Sequence, residues 1–238
     1  MSNYVLILAS GTGSRAGGSI PKQFRHIAGR PLFYWSVRAF AAVEDVRIIA
    51  VVHPDYISLW REYWEALPAS EYIEHRVVAG GASRIESVKC GLSVIPFVEG
   101  GETMVAVHDA ARPMVTPEMI KTGFLSCSQY VSVAVPAVAM SDSLRRIKGE
   151  DLSEGASIAV DRSAFVAVQT PQIAPLRWLR DAYTREMQPW FTDDASILEA
   201  AGYNVRLYAG EAENFKVTTP GDFLIADSLL TFREKNMT

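Results

Sequence analysis

The chain has 238 residues, 49% of them hydrophobic and 21% charged, which is the balance of an ordinary globular protein long enough for one sizeable α/β domain. Its formal net charge of −4 offers no electrostatic footprint for nucleic acid or an anionic membrane, so the positive charge of any anion site must be local. With no basic n-region at its start, no apolar run of membrane-spanning length, and only Cys90 and Cys127 as thiols, the chain reads as a cytoplasmic protein with reduced cysteines.

The first predicted strand, Tyr4 to Leu8, opens into a loop carrying Gly11, Gly13, Gly17 and Gly18, with Arg15 near its middle and Lys22 just after Pro21. Glycines let backbone N–H groups approach an anion, and Arg and Lys add charge that matches phosphate oxygens, so the stretch reads as a triphosphate cradle. The P-loop pattern fails for want of a Gly-Lys-Ser/Thr ending. Gly11-x-Gly13-x-x-Ala16 fits the dinucleotide fingerprint, but Gly17-Gly18 and Pro21 would break the helix that fingerprint needs.

Pro31 to Phe40 reads as a helix with Pro31 in its first turn, followed by a strand from Val46 to Val52. Tyr56, Trp60, Tyr63, Trp64 and Leu67 recur at helical spacing and read as a core-facing stripe. A strand over 74–79 runs into Gly80-Gly81, and Ser83-Arg-Ile-Glu86 is a capping box that starts a helix toward Ile95. Met104 to His108 is the apolar run expected at the centre of a parallel sheet, ending in His108-Asp-Ala-Ala-Arg-Pro113. Thr116 caps the next helix, and a fifth strand is expected over Val131 to Val138. The less apolar stretch 139–161 reads as a β-hairpin arm, of a kind that a second copy of the chain would bury. Asp161-Arg162 leads into Phe165 to Val168 and then Gln169-Thr-Pro-Gln172, and Pro175 opens a helix through Met187. Asp193 caps a helix ending at Gly202, Val205 to Ala209 is a last strand, and Gly221 to Leu230 is a C-terminal helix. Alternating strands and helices predict a single α/β domain over 1–238, with a mostly parallel, Rossmann-like sheet, helices on both faces and the arm projecting from it.

The charged residues at strand ends or on the loops after them are Arg15, Lys22, Arg84, Asp109, Arg112, Arg162 and Lys216. A cleft rich in cations with a single acid suits phosphoryl transfer, which is mostly positioning and charge neutralisation. A phosphate nucleophile is already ionised and needs no strong general base.

Leu8-Ala-Ser-Gly-Thr-Gly-Ser-Arg15, Pro21-Lys-Gln-Phe24, Gly80-Gly81, His108-Asp-Ala-Ala-Arg-Pro113, Val160-Asp-Arg162, Gln169-Thr-Pro-Gln172, Thr192-Asp-Asp-Ala-Ser196 and Phe215-Lys-Val-Thr-Thr-Pro220 stand in that order nearly end to end. Together they resemble the 2-C-methyl-D-erythritol 4-phosphate cytidylyltransferase family of the non-mevalonate isoprenoid pathway. The resemblance implies a nucleotidyltransferase that joins CTP to the alcohol phosphate with release of pyrophosphate, using Mg²⁺ bound mainly through the CTP phosphates, and acting as a homodimer. It implies that Arg15 and Lys22 hold the triphosphate and stabilise the transition state. Ala9, Ser10, Gly11 and Gly13 would line the nucleotide through backbone groups, and Gly81 and Ser87 would contact base or ribose. Asp109 and Arg112 would bind the sugar-alcohol phosphate, with Thr170 and the catalytic Lys216 nearby. Arg162 and Ser143 would reach it from a partner's arm. No protein ligand of the metal is implied.

The chain departs from the family's pattern at Leu8 and Ser10, where Pro-Ala-Ala-Gly is common, at Ala82, where Asp is common, and at Ser143, where Thr is common. Those departures touch base choice rather than the transfer chemistry. They keep open the similar ribitol 5-phosphate and related polyol-phosphate cytidylyltransferases, and beyond them a nucleotide-binding protein without catalysis.

Overall fold

The computed structural model describes residues 3–11, 20–97, 102–149 and 155–237. In chain order the elements are β1 (Asn3–Ala9), the short pair β2 (His26–Ile27) and β3 (Arg30–Pro31), α1 (Leu32–Ala41), β4 (Val46–Val52), α2 (Ile57–Glu65), β5 (Arg76–Ala79), α3 (Arg84–Ser93), β6 (Met104–Asp109), α4 (Pro117–Tyr130) and β7 (Val133–Ala139). There follow β8 (Arg145–Ile147), β9 (Ser157–Ala159), β10 (Val166–Val168), β11 (Gln172–Pro175), α5 (Leu176–Ala182), α6 (Asp194–Ala200), β12 (Val205–Ala209) and α7 (Pro220–Met237).

The main sheet has eight strands in the order β10-β7-β11-β6-β1-β4-β5, with β12 pairing beside β7. β1 lies between β6 and β4, parallel to both, and β4 is parallel to β5. The chain runs from β1 outward to β4 and β5 and then crosses back to β6 on the other side of β1, so a crevice opens at the C-terminal ends of these strands. The period of two along β1 divides the core. Val5, Ile7 and Ala9 face a layer with α1, α2, α4 and α7, whereas Tyr4, Leu6 and Leu8 face α3, α5 and α6. The expected aromatic stripe is core: Trp60 is fully buried and stacks on Phe33 at 3.9 Å between ring centroids. Gly91 lets α3 lie close to the sheet, because a Cβ there would stand 2.8 Å from one Leu6 methyl carbon and 3.0 Å from Val51 Cγ2. Gly91→Ala is expected to destabilise the protein by roughly 1–3 kcal/mol, read as a lower denaturant midpoint.

Several boundaries differ from expectation. Val131 does not start a strand; at φ +47° it closes α4 as a left-handed cap, and β7 begins at Val133. Pro31 caps α1 from outside rather than sitting in its first turn. α5 stops at Ala182, where Tyr183 turns its hydroxyl onto the buried Asp194, and α7 runs on to Met237. The stretch after Gln169-Thr170-Pro171 is a strand, β11, inserted antiparallel between β6 and β7 near the centre of the sheet. β10 likewise pairs antiparallel with β7. The arm appears as the antiparallel ribbon β8–β9, with Arg145 opposite Ala159.

Candidate active site

Of the glycine loop, Gly13 and Arg15 lie outside the described residues. Its first part is held from beneath by Gln23, whose buried amide donates to the Ala9 carbonyl at 2.7 Å and the Gly11 carbonyl at 2.8 Å. Bridging both sides of the strand end fixes the exit angle of the loop. The neighbouring Lys22 begins a 3₁₀ turn and sends Nζ to the Val217 carbonyl, 2.7 Å away, tying the loop's far end to the stretch that carries Lys216. That stretch is pinned on both sides: Val217 N donates to the Ala111 carbonyl, and Asp222 accepts from the N–H groups of Thr218 and Thr219.

Ser10 follows β1 and faces the Gly80–Gly81 turn. Its Oγ lies 2.7 Å from that of the fully buried Ser87, which in turn lies 2.8 Å from the Ser83 carbonyl and 3.2 Å from the Gly81 N–H. A Cβ on Gly80 would fall 2.6 Å from Ser10 Cβ and 2.9 Å from Ser87 Oγ, so only glycine fits there. Ser83 accepts from Glu86 N as the capping box predicts. The Glu86 carboxylate reaches one residue further back than that box requires, to Ala82 N at 2.7 Å.

Asp109, at the end of β6, lies between two cations. Lys216 Nζ is 2.7 Å from its Oδ2 and Arg84 Nε 3.5 Å from its Oδ1. Burial alone would raise the Asp109 pKa, but the charges of Arg84, Lys216 and Arg112 outweigh it and hold the carboxyl well below its usual range. Arg84 also makes a two-pronged contact with Asp194 at 2.6 and 3.2 Å, and the Asp194 side chain is 1% exposed. Burial would lower the Arg84 pKa, yet Asp194 and Asp109 raise it well above its ordinary value.

His108, just before Asp109, is completely buried. Its Nε2 lies 3.2 Å from the Arg112 carbonyl, which can only accept, so that nitrogen carries the proton. Nδ1 then accepts from Thr170 Oγ1 at 3.1 Å, which leaves the Thr170 oxygen to accept from Asp109 N, also at 3.1 Å. Arg112 extends Nη1 to the Asn214 carbonyl, and Asn214 Nδ2 returns to the Thr170 carbonyl at 3.0 Å. The loops carrying Asp109, Arg112, Thr170 and Lys216 are thus one hydrogen-bonded body.

Burial lowers the His108 pKa to about 4, with Asp109 opposing and Arg112 reinforcing the shift. Between the ordinary value of 6.5 and that folded value, the unfolded chain binds a proton that the folded chain does not. The stability of the neutral ring is therefore complete above pH 6.5 and declines as pH falls toward 4, by about 3 kcal/mol at most. Denaturant unfolding at pH 7 and 4.5 should show wild type losing more stability than His108→Asn; equal losses would refute the buried neutral ring.

Comparison with known proteins decides what this arrangement belongs to. The family model of 2-C-methyl-D-erythritol 4-phosphate cytidylyltransferase (IspD) matches residues 4–232. The chain belongs to that family. A relative of the same name from Porphyromonas gingivalis is 40% identical over 229 residues, covering 96% of this chain and 97% of that protein. One from Bacteroides thetaiotaomicron is 37% identical over 231 residues, covering 97% and 100%. The crystal structure of the enzyme so named from Thermus thermophilus superposes with a TM-score of 0.70 at 32% identity, over 96% of this chain and 98% of that one.

For this cytidylyltransferase-family chain, the structure gathers Ala9, Ser10, Gly11, Lys22, Gly81, Ser87, Asp109, Arg112, Thr170 and Lys216 around the sheet's C-terminal edge. It does not bring Ser143 or Arg162 to them within one chain. Ser143 is exposed at the root of the arm, and Arg162 donates to the Ser141 carbonyl. Sequence reasoning gave no role to Gln23, Asn214 or Asp194. Gln23 and Asp194 do fall in the quoted motifs Pro21-Lys-Gln-Phe24 and Thr192-Asp-Asp-Ala-Ser196, so the signal was there. Asn214 carried none.

Proposed function

We infer that this chain transfers a cytidylyl group from CTP to 2-C-methyl-D-erythritol 4-phosphate, giving 4-diphosphocytidyl-2-C-methyl-D-erythritol and pyrophosphate in isoprenoid precursor synthesis. A phosphate oxygen of the alcohol attacks the α-phosphorus of CTP, a P–O bond forms there, and the bond to the β-phosphate oxygen breaks. The nucleophile arrives ionised, so the protein's work is orientation and charge neutralisation. Lys22, with Arg15, neutralises charge growing on the triphosphate. Lys216 and Arg112 orient the alcohol's phosphate, and Asp109 accepts from its hydroxyls.

The observation that carries the reading is the convergence of Lys22, Arg84, Asp109, Arg112 and Lys216, from well-separated stretches, onto one edge of the sheet in a chain of this family. Asp109 is engaged by cations, and the described residues form no group of three or more His, Cys, Asp or Glu side chains able to hold a metal. Mg²⁺ would be carried mainly on the CTP phosphates, where it would supply charge neutralisation.

A homodimer completes the site, with Arg162 and Ser143 of one copy's arm serving the other. Phe165, Val166 and Val168 beside the arm and Ile147 on it are exposed apolar residues that a second copy would cover. None of the described helices is long and apolar enough to cross a membrane. Cys90 and Cys127 are unpaired, with the buried Cys127 thiol pushed up to about 12, which suits a reducing cytoplasm.

The test is pyrophosphate release with CTP and Mg²⁺, comparing methylerythritol 4-phosphate with ribitol 5-phosphate. Preference for the first is expected. Preference for the second would move the protein to polyol-phosphate activation, and release with neither would point to nucleotide binding without catalysis.

A further inference from the structure

Gln169 and Gly210 flank β7 from opposite sides: Gln169 N donates to the Pro136 carbonyl, and Gly210 N to the carbonyl of the next residue, Ala137. The side chain of Gln169, a residue only 4% exposed, crosses from one side to the other. Its Nε2 donates to the Glu211 carbonyl at 2.8 Å, and its Oε1 accepts from Glu211 N at 3.3 Å. A carbonyl only accepts and a peptide N–H only donates, so these partners fix the orientation of the amide. The pairing copies the two-bond exchange between neighbouring strands, with a side chain in place of one backbone. Gly210 makes room for it, since a Cβ there would stand 2.7 Å from Gln169 Oε1 and 3.1 Å from the Ala137 carbonyl oxygen. The same Oε1 accepts from Asn214 Nδ2 at 3.4 Å.

The turn held in this way, Glu211 to Asn214, matters for its last residue. Asn214 N donates to the Glu211 carbonyl at 2.9 Å, so a displacement of Glu211 carries Asn214 with it. The Asn214 carbonyl accepts from Arg112 Nη1 at 2.8 Å, whereas Arg112 Nε is buried with no partner among the described residues. The place of that carbonyl therefore sets the aim of the guanidinium. Thr116 also holds Glu211, but by the carboxylate, which fixes the side chain rather than the peptide.

We propose that Gln169 is a positioning residue for the alcohol-phosphate half of the site: its amide places the Glu211–Asn214 turn, and through the Asn214 carbonyl it aims Arg112 at the substrate phosphate. This rests on the transfer reading above. Gln169 acts on the substrate only through Arg112.

Steady-state KM values for methylerythritol 4-phosphate and CTP test this in wild type, Gln169→Met and Gln169→Glu at pH 8.5 and 5.5. Gln169→Met keeps the bulk and loses the amide, so KM for the alcohol phosphate should rise about tenfold at both pH values, the scale of one neutral hydrogen bond. KM for CTP should stay near its wild-type value. Gln169→Glu replaces the donor that faces the Glu211 carbonyl with an oxygen. Ionised, it repels that carbonyl and raises the same KM at pH 8.5. Protonated, it again offers one donor and one acceptor, so the KM ratio to wild type should fall several-fold at pH 5.5. Burial and the Glu211 carboxylate raise the pKa of such a carboxyl, and Arg112, beyond Asn214, opposes them. Taking the ratio at each pH cancels the titration of the substrate's own phosphate. General damage to the fold would not recover on acidification, and Gln169→Glu carries the test alone should Gln169→Met not fold. Equal rises in both KM values, an unchanged KM in Gln169→Met, or a Gln169→Glu ratio that does not fall with pH overturns the proposal and leaves the transfer reading intact. Wild-type protein that releases no pyrophosphate from these substrates overturns both.

Discussion

Lys22→Ala is expected to lower pyrophosphate release at saturating CTP by about a hundredfold or more, the scale of removing one preorganised charge from a developing oxyanion. On the reading proposed above, backbone groups and Arg15 share the ground-state phosphates with Lys22, so CTP affinity should fall far less. The structure gives Lys22 a definite rest position, 2.7 Å from the Val217 carbonyl and one residue from Lys216. The variant therefore loses a charge and a tether between two active-site loops. Unfolding measurements separate these effects: a catalytic role predicts lost turnover with a nearly unchanged midpoint. If turnover and CTP affinity fell in equal proportion, Lys22 would contribute uniform binding rather than transition-state stabilisation.

Arg84→Ala should destabilise the fold by about 3 kcal/mol, because it strands the Asp194 carboxylate, 1% exposed, with the Tyr183 hydroxyl as its side-chain partner. In a chain of this size that is a drop of roughly 6–12 °C in Tm. Asp109 would keep Lys216 but lose its second cation, so its carboxyl would titrate nearer the ordinary range. The sign follows from the depressed folded value. Stability from ionised Asp109 is present above the ordinary carboxylate range and is lost as pH falls below it, so the variant has less to lose on acidification. The double variant Arg84→Met/Asp194→Leu replaces the buried pair with apolar groups and should recover much of the Tm. It should still show a raised KM for the alcohol phosphate, since Asp109 is no longer held from that side. An unaltered Tm in Arg84→Ala would remove the pair from the account of stability.

The central strands were legible because burial on both faces writes them as apolar runs, as in Val5 to Leu8 and Val105 to Val107. The start of α3 was legible because Ser83 and Glu86 cap it locally. β11 was not. Gln172-Ile-Ala-Pro175 is short, begins with an amide and ends in proline, and its place between β6 and β7 comes from pairing with residues tens of positions away. The glutamine is needed all the same: Gln172 Nε2 donates to Asp193 and its Oε1 accepts from Ala195 N at the start of α6. In the site, the strand-end rule collected Lys22, Arg84, Asp109, Arg112 and Lys216. It could not assign partners across separations such as the 110 residues from Arg84 to Asp194, which only the folded chain closes.

The insertion of β11 also bears on how the chain can assemble as it is made. β1, β4, β5 and β6 all come from the first 109 residues and pair only with one another on that side of the sheet. They can form while the rest is still being synthesised. β7 cannot then simply dock beside β6, because its final neighbour on that side is β11, more than thirty residues later. Until β11 emerges, β6 presents an open, strongly apolar edge, a template for pairing with the wrong chain. A nascent chain stalled or truncated between β7 and β11 is therefore expected to aggregate more readily than the full chain. The active site closes later still, since Thr170 lies just before that strand but Asn214 and Lys216 follow β12.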